Sequence, residues 1–110
     1  MQTKRLKQLF QFLENSPGDC FLCFAIAKEY EKAEDWDNAL AYYLKIAQNE
    51  PDYVGLYYHL GKLYEVLQDP NTAFATYKKG MDIAQKLADR HAYSELATAK
   101  LELGDDEDFE

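Results

Sequence analysis

Internal repetition constrains this chain more than any other feature. Residues 20–53 align without a gap on residues 54–87, and nine of the aligned pairs are identical. They are Leu22/Leu56, Lys28/Lys62, Tyr30/Tyr64, Glu31/Glu65, Asp35/Asp69, Ala39/Ala73, Ala41/Ala75, Tyr43/Tyr77 and Lys45/Lys79. Ile26/Leu60 and Ala27/Gly61 keep their character. These positions are the ones that would face a neighbouring helix, a set that chance similarity does not select. A unit of this length cannot bury its apolar face alone, so successive units must stack.

Within each unit the pattern is helix, turn, helix. Leu22, Cys23, Ile26, Ala27 and Tyr30 recur at steps of three and four, which puts them on one stripe of a helix. Ala39, Leu40, Tyr43, Ile46 and Ala47 repeat the spacing. Small residues at Ala27, Gly61, Ala39 and Ala73 let paired helices cross closely. Asp35 and Asp69 stand where a carboxylate can cap the next helix, and Asp19 and Asp52 are placed to cap the first helices. Pro70 follows Asp69 at a first helical position, where its missing N–H costs nothing. Pro51 ends the second helix of its unit.

The period reaches upstream: Pro17, Leu9 and Leu13 lie one full period before Pro51, Tyr43 and Ala47. Residues 3–15 therefore read as the second helix of a half repeat. Downstream, Gln85 replaces the terminating proline, so the second helix of 54–87 runs on to about Leu87. After a break at "ADRH", a closing helix over 90–103 carries Tyr93, Leu96, Ala97 and Leu101 on one face. The expectation is an all-α domain over 1–104, with six antiparallel helices and covered ends. An acidic tail follows over 105–110, either frayed and solubilising or a motif for a basic partner.

Composition narrows the function. Only three prolines and five glycines in 110 residues favour long helices. A net charge of −8 argues against phosphate backbones and anionic membranes as partners. No apolar run reaches the roughly 20 residues that cross a bilayer. The N-terminus lacks an apolar core and cleavage site, so it reads as an amphipathic helix, with the cytoplasm as the expected location.

The large residue, large–small pair, aromatic, alanine, aromatic and proline of each unit resemble the tetratricopeptide repeat family. Unit one supplies Cys23, Ile26–Ala27, Tyr30, Ala39, Tyr43 and Pro51. Unit two supplies Tyr57, Leu60–Gly61, Tyr64, Ala73 and Tyr77 without the proline. The whole chain is similar to small stand-alone bacterial members. The resemblance implies a right-handed α-α superhelix whose first helices line a concave groove for a protein or peptide, and it implies no catalysis and no cofactor. By that geometry the groove residues are Phe21, Phe24 and Lys28 on one first helix and Tyr58, His59 and Lys62 on the next, with Glu31, Lys32 and Glu65 beside them. Tyr93 contributes from the closing helix.

Phe21 and Phe24 lie off the core stripe, so they form either an exposed aromatic patch or a cover for Leu9 and Leu13. The family's asparagine clamp for a terminal carboxylate is replaced here by Ala25 and His59. Lys28 and Lys62 either hold a carboxylate or are neutralised by Glu31 and Glu65 three residues on, the second reading being favoured. Cys20-x-x-Cys23 with His59 and His91 lacks the spacing of a zinc finger. No nucleophile–base pairing is visible, so neither a metal nor an enzymatic function is expected. A homo-oligomeric building block is the alternative to a peptide-binding scaffold, and a thiol redox or metal protein built on Cys20-x-x-Cys23 is the remote one.

Overall fold

A computed structural model describes residues 3–109 of the chain. They form six helices and, among the described residues, no strand. The helices are α1 (Lys4–Asn15), α2 (Cys20–Lys32), α3 (Trp36–Asn49), α4 (Gly55–Val66), α5 (Pro70–Lys86) and α6 (Arg90–Leu103). Contacts divide the chain into two units, Met1–Pro51 and Asp52–Glu110.

In the first unit, α2 and α3 form a hairpin across three residues and α1 packs on α2. The stripes read from the sequence are the buried ones: Cys23, Ile26 and Ala27 on α2, and Ala39, Tyr43 and Ile46 on α3. Leu6 and Leu9 of α1 close against Ile26, flanked by Phe10, Leu13, Leu22 and Tyr30. Each large apolar side chain so buried contributes roughly 1.5–3 kcal/mol before the entropy of ordering it is subtracted.

The second unit repeats the hairpin with α4 and α5, and α6 packs on both. Two glycines mark where backbones approach most closely. A Cβ on Gly61 would stand 2.2 Å from Cε1 of Tyr77, so only glycine leaves room for that ring. A Cβ on Gly80 would stand 2.5 Å from Cβ of Tyr57 and 3.0 Å from Cδ1 of Leu96.

Local chemistry fixes the helix ends. Carboxylates of Asp19, Asp35, Asp69 and Asp89 accept the backbone N–H of Leu22, Asn38, Thr72 and Ala92 at 3.0–3.3 Å. The turns after α2, α4 and α5 share one closing pattern. Glu34, Gln68 and Ala88 adopt φ values of 57°, 60° and 57°, and each donates to the carbonyl three residues back. The aspartate that follows donates five residues back, completing the motif that usually places glycine at the left-handed position.

Two expectations are corrected. Asp52 caps no helix: α4 begins after Val54 without a side-chain cap. Asp52 instead pairs with Lys86 at 2.9 Å. The end of the chain is not frayed over its described part either. Asp106–Phe109 forms a short 3-10 helix. Phe109 stacks on Phe74 at 4.3 Å between ring centroids, and Lys100 Nζ reaches Asp106 at 2.8 Å. One aromatic residue among the carboxylates gives this segment something to bury. Among the described residues no helix is long and apolar enough to cross a membrane.

Candidate functional site

The residues singled out on the first helices fall three to each unit, and each set rests on a hairpin. Phe21 sits in the first turn of α2 and is 71% exposed, the most of any large apolar side chain described. Phe24, one turn on, is half-buried and meets the ring of Tyr43 edge-on at 5.8 Å. Neither ring closes the α1 cluster, which Leu22, Ala25 and Tyr30 cover from α2. The helical step explains the difference: Leu22, Ile26 and Tyr30 follow one another at steps of four on one face, and Phe21 and Phe24 lie off it.

Lys28 follows on the same helix, with Nζ 3.4 Å from a carboxylate oxygen of Glu31. That carboxylate also accepts the hydroxyl proton of Tyr43, which is wholly buried on α3. The second unit repeats the arrangement. Lys62 Nζ lies 3.8 Å from Glu65, and Glu65 accepts from the buried hydroxyl of Tyr77. Burial first, then the carboxylate beside it, pushes each tyrosine well above its ordinary value, so both phenols stay protonated. Three of the nine identical pairs thus form one working group: lysine and glutamate on a first helix, tyrosine on the second.

On α4, Lys62 also stands over the ring of Tyr58 at 5.5 Å, and Tyr58 meets His59 edge-on at 5.5 Å. Tyr58 and Lys62 line one wall of a groove of about 330 Å³, with His91, Ser94, Glu95 and Glu102 of α6 opposite. His91 Nε2 lies 3.3 Å from Glu95. Tyr93 lines a second hollow, of about 490 Å³, with Ala84, Ala88 and Arg90. Sequence reasoning misses His91 on this face, because its position on the α6 wall depends on how α6 crosses α4.

The cysteines occupy core positions. Cys20 and Cys23 are both buried as free thiols. Burial raises the Cys20 thiol to about 11, helped by the carboxylate of Glu50, and burial also raises Cys23. A thiol held so far from thiolate is a poor nucleophile and a poor metal ligand. Among the described residues, no group of three or more His, Cys, Asp or Glu side chains is placed to hold a metal ion.

No protein-family model matches the chain, and a search of curated proteins gives no match either. Solved structures do match. A tetratricopeptide repeat domain protein from Salinibacter ruber, in solution, is 41% identical, with a TM-score of 0.76 over 79% of this chain and 88% of that one. A crystal structure of a tetratricopeptide repeat domain protein from the same organism gives 41% identity and a TM-score of 0.73, covering 77% of this chain and 94% of that one. A protein from Bordetella parapertussis, 25% identical, reaches 0.79 over 94% and 89% of the two chains. With that identity across most of the Salinibacter domain, on helix pairs that repeat along the sequence, the chain belongs to the tetratricopeptide repeat family.

Proposed function

We propose that this protein is a non-catalytic binding module for a peptide or partner segment, engaged by the exposed faces of its first helices. Phe21 carries the reading. It is 71% exposed and stands one turn from the half-buried Phe24 on the same helix, so the two rings form a continuous aromatic surface rather than a lone exposed side chain. Beside it the first unit offers Phe24 and Lys28, and the second offers Tyr58, His59 and Lys62. Each set combines aromatic surface with one lysine already shared with a glutamate. A ligand would gain most from apolar burial and less from the lysines, since exposed ion pairs contribute only about 0–1 kcal/mol.

The test is selection of ligands from a displayed peptide library against the intact protein, followed by titration of one selected peptide. Phe21→Glu is expected to weaken binding about tenfold or more and Lys62→Glu about two- to fivefold, each leaving the helical signal unchanged. A selected peptide whose affinity neither substitution alters would refute this assignment of the surface.

A further inference from the structure

We infer that the groove between α4 and α6 takes a positively charged side chain of the bound segment, seated against Glu102 and beside the ring of Tyr58. This rests on the proposed reading of α4 as a binding surface, and it adds the chemical class of the residue taken there.

Helical spacing builds the two walls. On α6, His91, Glu95, Thr98 and Glu102 follow one another at steps of four, three and four, which sets them along one face. On α4, Tyr58 and Lys62 stand one turn apart. All six line the same hollow of about 330 Å³. The walls also converge electrostatically. Tyr58 of α4 and Glu102 of α6 both add to the upward push on the Tyr77 phenol, behind burial and Glu65. Both therefore lie near the point where Glu65 accepts from that hydroxyl.

Charge balance leaves one group over. Lys62 is the lysine of this groove, and Glu65 already shares it at 3.8 Å. Glu95 lies 3.3 Å from Nε2 of His91, which balances it whenever the imidazole is protonated. Glu102 enters no ion pair among the described residues. Thr98 and Ala99, one turn before it, carry no charge. An exposed carboxylate is ordinary by itself, but this one shares a hollow with a hydroxyl and an aromatic ring. The carboxylate and the Thr98 hydroxyl can accept N–H donors of a guanidinium or ammonium group. The ring of Tyr58, which Lys62 overlies at 5.5 Å, offers the methylene stem an apolar surface to lie on.

Lys62 does not compete for this place. Its ammonium has three N–H donors and Glu65 takes one, which leaves others for main-chain carbonyls of the ligand. An acidic side chain in the groove would instead meet Glu95 and Glu102 on the α6 wall. The net charge of −8 acts in the same direction, drawing in basic partners and repelling acidic ones.

Backbone amide shifts of the intact protein, followed during titration of single blocked amino acids, test this. The probes are the N-acetyl methylamides of arginine, glutamine and glutamate, each up to about 50 mM, the range a single exposed contact reaches. The arginine probe is expected to move Tyr58, Thr98 and Glu102 along a saturating curve. The other two should move them at least about threefold less. Glu102→Gln, as helical as the wild type, is expected to cut the arginine response at least about threefold, as is high salt. An arginine response no larger than glutamine's, or one that Glu102→Gln leaves unchanged, would overturn the inference. These probes act without the Phe21 surface. A failed peptide selection, or selected peptides indifferent to Phe21→Glu, would overturn the wider reading instead, and the arginine response would still decide this subsite.

Discussion

Glu31 and Glu65 each hold two groups at once, a buried tyrosine hydroxyl and a lysine at the surface. The hydroxyl bond matters more, since a charged acceptor spares a phenol buried without water, whereas the ion pair stands in solvent. Replacing Tyr43 and Tyr77 together by Phe is expected to cost roughly 2 kcal/mol in urea denaturation, about 1 kcal/mol for each bond lost. The pH dependence follows in sign. Both phenols titrate above their ordinary value in the fold, so on raising pH the unfolded chain releases these protons first. Their contribution is complete below about pH 10 and is lost above it, by up to about 1.4 kcal/mol per pH unit for each tyrosine. The double Phe variant should show a shallower alkaline loss, and an unchanged slope would dissociate these tyrosines from it. Lysine, glutamate and tyrosine all stood among the repeated identities. Their convergence was not legible there, because glutamate and tyrosine lie 12 residues apart on helices whose crossing angle the sequence does not state. The cysteines were legible as core residues from their place in the helical stripe. A disulfide-exchange reagent at neutral pH should label them at least about a hundredfold more slowly in the folded protein than in denaturant.

Among the elements, crossings and turns ask opposite things of glycine and alanine. Gly61 lies where α4 and α5 cross against the ring of Tyr77, so Gly61→Ala must push that ring off its carboxylate. Overpacking of this kind costs about 1–3 kcal/mol. Ala88 sits at φ 57° between α5 and α6, where a Cβ is unfavourable. Ala88→Gly is expected to raise stability by roughly 0.5–1 kcal/mol, contrary to the usual effect of glycine. Chemical denaturation of the two variants checks both signs. The crossing was readable from the small residues at the repeated position. The turns were readable only through the aspartate caps that follow them, because Glu34, Gln68 and Ala88 are not the glycine that signals such a stop. Asp52 shows the converse: a capping residue in a capping register was drawn instead to Lys86, far along the chain.

For the molecule, repetition made the fold legible at a distance. Two copies of one hairpin must bury the same positions, so nine identities located four of the six helices. The ends were harder, since a half repeat has no second copy to be compared with. The tail's folding depends on one phenylalanine meeting Phe74. The proposed binding surface was the least legible part: of its residues only Lys28 and Lys62 repeat, and the aromatic ones are marked only by their failure to be needed in the core. The most direct test is to follow backbone amide shifts of the whole protein while titrating a selected peptide. The account requires the largest changes at Phe21, Phe24 and Lys28 on α2 and at Tyr58, His59 and Lys62 on α4. Changes confined to α3 and α5, with these six residues unmoved, would contradict it.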